Sequence, residues 1–458
     1  MRSIVAVAAL ALLASPLVAQ KETPPPVGRP KNLKLPAPRE FTLPNGLRVT
    51  LVAFGTVPKV DVELAVRAAE IQEGRNEVWL SDVLADLMQE GTLTRTAAQV
   101  AEQAAGMGGD LSVSAGTHTT TIGGEVLSDH AADMIRLVAD VARHPRLPES
   151  ELERIKADRI RGLAISMSQA QPIADQAFRK AIYGDHPFGR PYPTEAMLKI
   201  YTIDQVRGFY ARNYGAGRSH LYVVGVFDQA ATEAAIRMAF AGWARGTPAV
   251  EPAAHPVRSR TVTLLDRPDA VQSTLIVGLP VAAPRDTDYL ALQVTDALLG
   301  GSFGSRITSN IREQKGYTYS PFSTVTSFRG ESYWAEQADV TTNVTGASLK
   351  EIFGEINRLR SEAPSDAELT GIKNNLAGIF TLRNSSRAGI IGLMRFVDLQ
   401  GLGNDYLGNY VGRVLDVTPS TVQHIAQKYL NPDQMTIVVV GDKKTVDPQL
   451  TPYRGVVP

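Results

Sequence analysis

The chain has 458 residues, room for two to four domains at about 100–200 residues each. Its 44% apolar and 21% charged content, with 38 Gly and 28 Pro, excludes collagen, long coiled coil and wholesale disorder. Forty-seven basic and 47 acidic residues leave no global field to draw nucleic acid or anionic lipid, and the absence of cysteine excludes disulfides, Cys-ligated zinc, iron–sulfur clusters and thiol nucleophiles.

The first residues, MRSIVAVAALALLASPLVAQ, place Arg2 before an apolar run from Ile4 to Leu13, then Ser15-Pro16 and Ala19. This has the form of a secretory signal peptide over residues 1–19 and predicts export, with the periplasm as destination. The run is shorter than the roughly 20 apolar residues of a spanning helix, so stable membrane insertion is not expected. An uncleaved anchor is the alternative, because Leu17 replaces a small residue three positions before the cut. Residues 20–39 are rich in Pro and Lys and predict an extended lead-in.

The fold is expected to begin near Phe41. Phe41 to Leu43 and Leu47 to Val52 flank Pro44-Asn45-Gly46, a hairpin signal, and Val60 to Val66 follows as a strand. Glu77 to Glu90 is helical in pattern, with Trp79, Leu80, Val83, Leu84, Leu87 and Met88 on one face. Gly108 to Thr121 has the alternating small and polar character of an edge strand, and a helix is expected over Glu151 to Leu163. Pro-rich residues 246–260 divide the remainder into parts 40–245 and 261–458.

The two parts end alike. Thr202 to Asp228 and Thr418 to Lys444 each give Thr, a helix with a Tyr near its end, a polar turn, then a buried strand ending in Gly. A duplicated domain is the simplest account. Hairpin strands followed by helices argue for α+β architecture, each half a mainly antiparallel sheet covered by helices.

This layout resembles the pitrilysin/insulinase-type zinc metallopeptidases, the inverzincins, which include the mitochondrial processing peptidases. The carriers in the first half are FTLPNGLRV, Glu90-Gly91-Thr92, Gly108-Gly109 and His186-Pro187-Phe188-Gly189. The resemblance implies two homologous halves in a clam-shaped, processing-peptidase-like fold. It also implies His-x-x-Glu-His on the first long helix of active members, two His binding zinc and the Glu acting as general base.

Registered on Gly91-Thr92, those positions are Asp82, Ala85 and Asp86. None of the seven His lies three to five residues from another, so no helix presents two imidazoles to one zinc, and a methyl group stands at the base position. The implied third ligand falls in the 151–163 helix, where Glu151, Glu153 and Asp158 are available. Asp82 and Asp86, four apart on the polar face, could hold a hard cation, but two carboxylates rarely suffice, and a solvated helix face is the plainer expectation. No cofactor is expected in this chain.

In the second half, residues 299–320 read LGGSFGSRITSNIREQKGYTYS. The glycines are no phosphate loop, since no Lys-Ser/Thr follows the last of them. The stretch resembles the family's Ser-Arg…Arg-Glu-x-x-Gly-x-x-Tyr segment, which implies that Arg312 and Tyr319 reach toward zinc-bound substrate. Arg312 is expected on a helix over 305–314 that Gly316 breaks, with Tyr319 starting the next strand; Phe303 and Arg306 are candidates to line the cavity. A surface arginine and a half-buried tyrosine are the alternative.

A lost zinc motif beside a kept Arg/Tyr pair is similar to the division of labour in two-subunit members of the family. The expectation is a non-zinc subunit of a heterodimeric metallopeptidase, silent alone, that gives Arg312 and Tyr319 in trans to a homologous zinc-binding partner acting on peptides. An inert peptide-binding or scaffold protein of the same fold is the competing reading. An active enzyme using Asp82 and Asp86 as ligands is disfavoured because Ala85 leaves no base.

Overall fold

The computed structural model describes residues 28, 30–32, 34–403 and 405–454. The expected signal peptide, 1–19, and most of the lead-in lie outside them. Among the described residues eleven strands form two sheets. The first contains β1 (Arg39–Thr42), β2 (Arg48–Ala53), β3 (Lys59–Val66), β4 (Ser112–Ala115), β5 (Thr120–Leu127) and β6 (Ser219–Gly225), in the order β1-β2-β6-β3-β5-β4. The second contains β7 (Thr261–Asp266), β8 (Gln272–Val281), β9 (Phe322–Phe328), β10 (Glu331–Thr341) and β11 (Thr436–Gly441), in the order β7-β11-β8-β10-β9. Apart from β1, the two orders superpose. β6 and β11 fill the same slot, each parallel to one neighbour and antiparallel to the other.

The helices repeat in the same way. In the first half they are α1 (Leu80–Met88), α2 (Ala97–Gly106), α3 (Ala131–Arg143), α4 (Glu149–Met167), α5 (Ala170–Tyr183), α6 (Glu195–Lys199), α7 (Ile203–Asn213) and α8 (Gln229–Phe240). In the second they are α9 (Tyr289–Leu299), α10 (Thr345–Ser361), α11 (Asp366–Arg383), α12 (Arg387–Gln400), α13 (Asp405–Leu415), α14 (Pro419–Tyr429) and α15 (Lys443–Leu450). α1 packs on α4 and α7 as α9 packs on α11 and α14. The architecture is the expected α+β fold of two similar halves. Among the described residues no helix is long and apolar enough to cross a membrane.

The expected hairpin forms with Thr42 opposite Arg48. Gly46 turns the chain at a φ of +95°, and Asn45 Nδ2 donates to the carbonyl oxygens of Phe240 (2.8 Å) and Trp243 (3.0 Å). Strand side chains alternate between faces. In the first sheet Val49, Leu51, Val60, Val62, Leu64, Leu221 and Val223 enter the core beneath α1, α3, α7 and α8. In the second, Leu275, Val277, Ile437 and Val439 enter a separate core beneath α9, α10 and α14.

The opposite sheet faces are covered by an exchange of helices. α5, from the first half, lies on β8 and β11 of the second sheet, where Phe178 and Ile182 pack with Ile276, Val438 and Val440. α12, from the second half, lies on β3 and β6 of the first sheet, where Ile390 and Ile391 meet Val52, Ala65 and Val224. Residues 246–260 carry neither helix nor strand. The Glu251 side chain within them is 7% exposed, paired with Arg67 and within 3.4 Å of His118 Nδ1.

Candidate functional site

α1 starts at Leu80, later than its apolar pattern predicts, because Trp79 is left-handed at a φ of +67°. Buried Glu73 caps it from outside: its carboxylate accepts from Trp79 N (3.0 Å), Ser81 N (2.8 Å) and Ser81 Oγ (2.6 Å). One face of the helix buries Leu80, Val83, Leu84, Leu87 and Met88, and Ala85 is enclosed with them. Asp82 and Asp86 lie on the flank that faces α4.

The expectation of a solvated face is corrected here. Both aspartates are half-buried, and Arg159 of α4 lies between them. Its Nε and Nη2 donate to Asp86 at 2.7 and 2.9 Å; its Nη1 donates to Asp82 Oδ1 at 3.0 Å and its Nη2 to the Asp82 carbonyl oxygen at 3.3 Å. Asp82 Oδ2 is buried without a partner. Burial therefore outweighs Arg159 and pushes the Asp82 carboxyl up to about 7. The Arg159 guanidinium thus lies against both carboxylates as their counter-charge.

Nor do the expected third-ligand candidates turn toward the pair. Glu151 and Asp158 accept from Arg154 at 2.8 and 3.3 Å, and Glu153 accepts from Lys156 at 2.8 Å. Among the described residues no group of three or more His, Asp or Glu is placed to hold a metal. A zinc ion does not fit a place already held by a fixed cation. Sequence reasoning missed Arg159, although its position carried a signal: it continues the buried stripe Leu152, Ile155, Leu163 of α4, where an arginine needs an acidic partner on the facing helix.

In the second half, a helical segment runs from Arg306 to Gln314, widened to a π-helix from Thr308. Lys315 N bonds to Asn310 O five residues back at 3.0 Å. Asn310 Nδ2 anchors the segment to α10 by donating to Glu351 (3.0 Å) and Glu355 (2.8 Å). Gly316, at a φ of +64°, ends it. Tyr319 then falls in a bend, not at a strand start as expected, because Pro321 has no N–H to offer the ladder and β9 begins only at Phe322.

This bend brings Arg312 and Tyr319 together. The guanidinium carbon lies 4.8 Å from the Tyr319 ring centroid and 4.4 Å from that of Phe303. Both rings are largely open to solvent, Tyr319 at 80% and Phe303 at 71%. Arg312 Nε is 3.2 Å from Glu313 Oε1, and among the described residues no other carboxylate pairs with Arg312. Arg306 does not join them: it is clamped to Glu368 through Nε (2.7 Å) and Nη2 (2.9 Å), a structural role that corrects the cavity-lining expectation. Gly300 and Gly301 allow close packing, since a Cβ on either would come within 2.5 Å of the Glu336 or Asp296 carboxylate.

No hydrogen bond or ion pair among the described residues joins Arg312 to Asp82 or Asp86. Next to Tyr319, Thr318 Oγ1 donates to Asp339 O, and Gln171 at the start of α5 donates to Asp339 Oδ2 at 2.9 Å. The edge strand expected over Gly108 to Thr121 is shorter: only Ser112–Ala115 forms the edge strand β4, Thr120 and Thr121 belong to β5, which is paired on both sides, and Gln89 Nε2 donates to Val113 O of β4 at 3.3 Å.

Residues 48–193 match the family model described as Insulinase (Peptidase family M16), and residues 201–376 match the one described as Peptidase M16 inactive domain. The chain belongs to the insulinase-type peptidase family. The inactive-domain description falls on the segment that carries Arg312 and Tyr319, while the degenerate α1 lies within the insulinase match. Relatives in this family include an uncharacterized zinc protease of Mycobacterium tuberculosis, 27% identical over 360 residues, 78% of this chain and 80% of that one. A similarly described protein of Mycobacterium leprae is 27% identical over 425 residues, 89% and 93% of the two chains. The same fold is found in a peptidase M16 inactive domain from Pseudomonas fluorescens (TM-score 0.81, 24% identity, 88% and 98% coverage). It is found again in a protease from Helicobacter pylori (TM-score 0.83, 19% identity, 89% and 100% coverage).

Proposed function

We propose that this insulinase-family chain is the non-zinc subunit of a heterodimeric metallopeptidase. A homologous partner with an intact His-x-x-Glu-His helix supplies the zinc and the base, and this chain supplies Arg312 and Tyr319 to the peptide being cleaved. The observation that carries the reading is Arg159: its guanidinium fills the place between Asp82 and Asp86 where the zinc of an active member would sit. Export to the periplasm is part of the proposal and rests on the form of residues 1–19.

The chemistry asked of the pair is modest. Water attack on a peptide carbonyl builds negative charge on its oxygen, and fixed donors aimed there lower the barrier. Stacking on Phe303 and Tyr319 holds the Arg312 guanidinium in place and leaves its Nη groups to donate. The exposed Tyr319 phenol offers a second donor. A peptide added as a strand at the β4 edge would be held by main-chain hydrogen bonds.

The test is peptide hydrolysis with zinc present, by the purified mature chain alone and after mixing with a homologue from the same organism that keeps the motif. Silence alone and activity on mixing are expected. Arg312→Ala should lower turnover of the mixture about a hundredfold and Tyr319→Phe about tenfold, with association unchanged by size-exclusion chromatography. Activity of the chain alone overturns the reading. Unchanged turnover in both variants removes the catalytic role and leaves an inert peptide-binding scaffold.

A further inference from the structure

Helices α5 and α12 perform the same task in the two halves, yet the seams beneath them differ. Under α5 the contact is apolar and filled by rings: Phe188 stacks on Phe328 at 4.0 Å, and Tyr183 and Phe178 meet Tyr333 edge-on. Under α12 the first sheet presents Arg48, Thr50, His220 and Tyr222 instead, and the seam is not filled. A cavity of about 610 Å³ remains between this sheet, α12 and residues 248–249.

Four guanidinium groups line that cavity: those of Arg48, Arg67, Arg218 and Arg395. Three have a carboxylate partner: Arg48 has Asp398, Arg67 has Glu251, and Arg395 has Glu63 at 3.0 Å. Arg218 has none. It is 6% exposed, and its N–H groups donate to the carbonyl oxygens of Arg67 and Arg212 and to Asn213 Oδ1. The Nε atoms of Arg67 and Arg395 are buried without a partner. His220, its pKa lowered by burial, adds no positive charge at neutral pH.

Four guanidinium charges thus meet three carboxylate partners, of which only Asp398 lines the cavity, and Arg218 has no carboxylate partner among the described residues. A buried cation without a counter-ion is costly, so the arrangement favours an anion in the space provided. Tyr222, Phe396 and Leu399 supply an apolar wall beside the donors. We propose that this seam cavity binds a small organic anion, a carboxylate or phosphate head on an apolar body, between the two halves. The site is separate from Arg312 and Tyr319 and does not depend on their role.

The test uses the full mature chain with three probes: benzoate, phenyl phosphate and, as the neutral control, benzyl alcohol. Saturable binding of benzoate or phenyl phosphate with a Kd below about 1 mM by calorimetry is expected, with a rise in Tm and none from benzyl alcohol. The two anionic arms separate carboxylate from phosphate. Arg395→Gln should weaken binding about tenfold. Gly392 of α12 lines the cavity, and a Cβ there meets nothing within 4 Å, so Gly392→Leu narrows the space without removing a charge. That variant should fold as well as the parent and bind more weakly. Absence of saturable binding by either anion overturns the proposal, as does undiminished affinity in Gly392→Leu.

Discussion

Helices α1 and α9 occupy equivalent places in their halves, and each brings acidic side chains out of water, but the charge is balanced by different means. On α1 the balancing charge is the guanidinium of Arg159, reaching over from α4. On α9, Asp296 is half-buried, with no cation within ion-pair distance among the described residues. Its Oδ1 accepts from Ser323 Oγ (2.5 Å) and Trp334 Nε1 (2.8 Å), and burial raises the carboxyl to about 6. Beside it, Glu336 is 1% exposed, neither carboxyl oxygen has a hydrogen-bond partner, and burial drives its pKa well above the ordinary value. Around α1 an arginine shares the balancing with burial-raised carboxyls; around α9, with no cation in reach among the described residues, protons do it alone.

The largest expected effect comes from varying pH, which acts on the burial-raised carboxyls of both halves. Asp296 and Asp61 are raised to about 6, Asp82 to about 7 and Glu73 to about 8, chiefly by burial. The folded chain therefore binds more protons than the unfolded one between about pH 4 and 8, and stability is lost as pH rises through that window. Urea denaturation at pH 5 should give a stability on the order of 3 kcal/mol greater than at pH 7.5. Below about pH 4 the trend reverses, because Glu251 is held at about 2 by its His118 and Arg67 partners and loses that stabilisation on protonation. A flat profile from pH 5 to 7.5 would contradict proton balancing.

Next in size is the arginine device. Arg159→Met leaves Asp82 and Asp86 half-buried and unpaired and should cost about 2 kcal/mol at pH 7.5, less at pH 5 where Asp82 is protonated. Adding Asp82→Asn and Asp86→Asn should restore most of the loss in the same denaturation assay. If the triple variant is no better than Arg159→Met, the arginine is needed for packing instead of charge. The smallest effect is expected from Glu336→Gln, an isosteric change that needs no proton. It should raise stability by about 1 kcal/mol at pH 8 and by little at pH 5. An equal gain at both pH values would show that the side chain is not the proton carrier.

Much of the fold was legible because its signals are local. Asn45-Gly46 sets the first hairpin. Thr202 and Thr418 cap α7 and α14 by accepting from Gln205 N (3.3 Å) and Thr421 N (3.2 Å), and each helix leads to the same slot in its sheet. The place of Arg312 on a helix ended by Gly316 was legible for the same reason. Tyr319 was misplaced by a short-range detail, Pro321. The partnership of Arg159 with Asp82 and Asp86 depends on which face of α4 meets α1 across more than seventy residues, and no local pattern states that. The seam cavity was equally hidden, since Arg67, Arg218 and Arg395 come from three distant segments that meet only after the helices have been exchanged.

That exchange bears on how such a chain could have arisen. A single copy of the half-molecule would leave one sheet face bare and its own fifth helix with nothing to cover, so the solitary ancestor would be sticky and incomplete. Two identical copies trading that helix would solve both problems by symmetry. Joining two such copies in one chain would free each seam to differ, one a solid aromatic contact and the other an arginine-walled space.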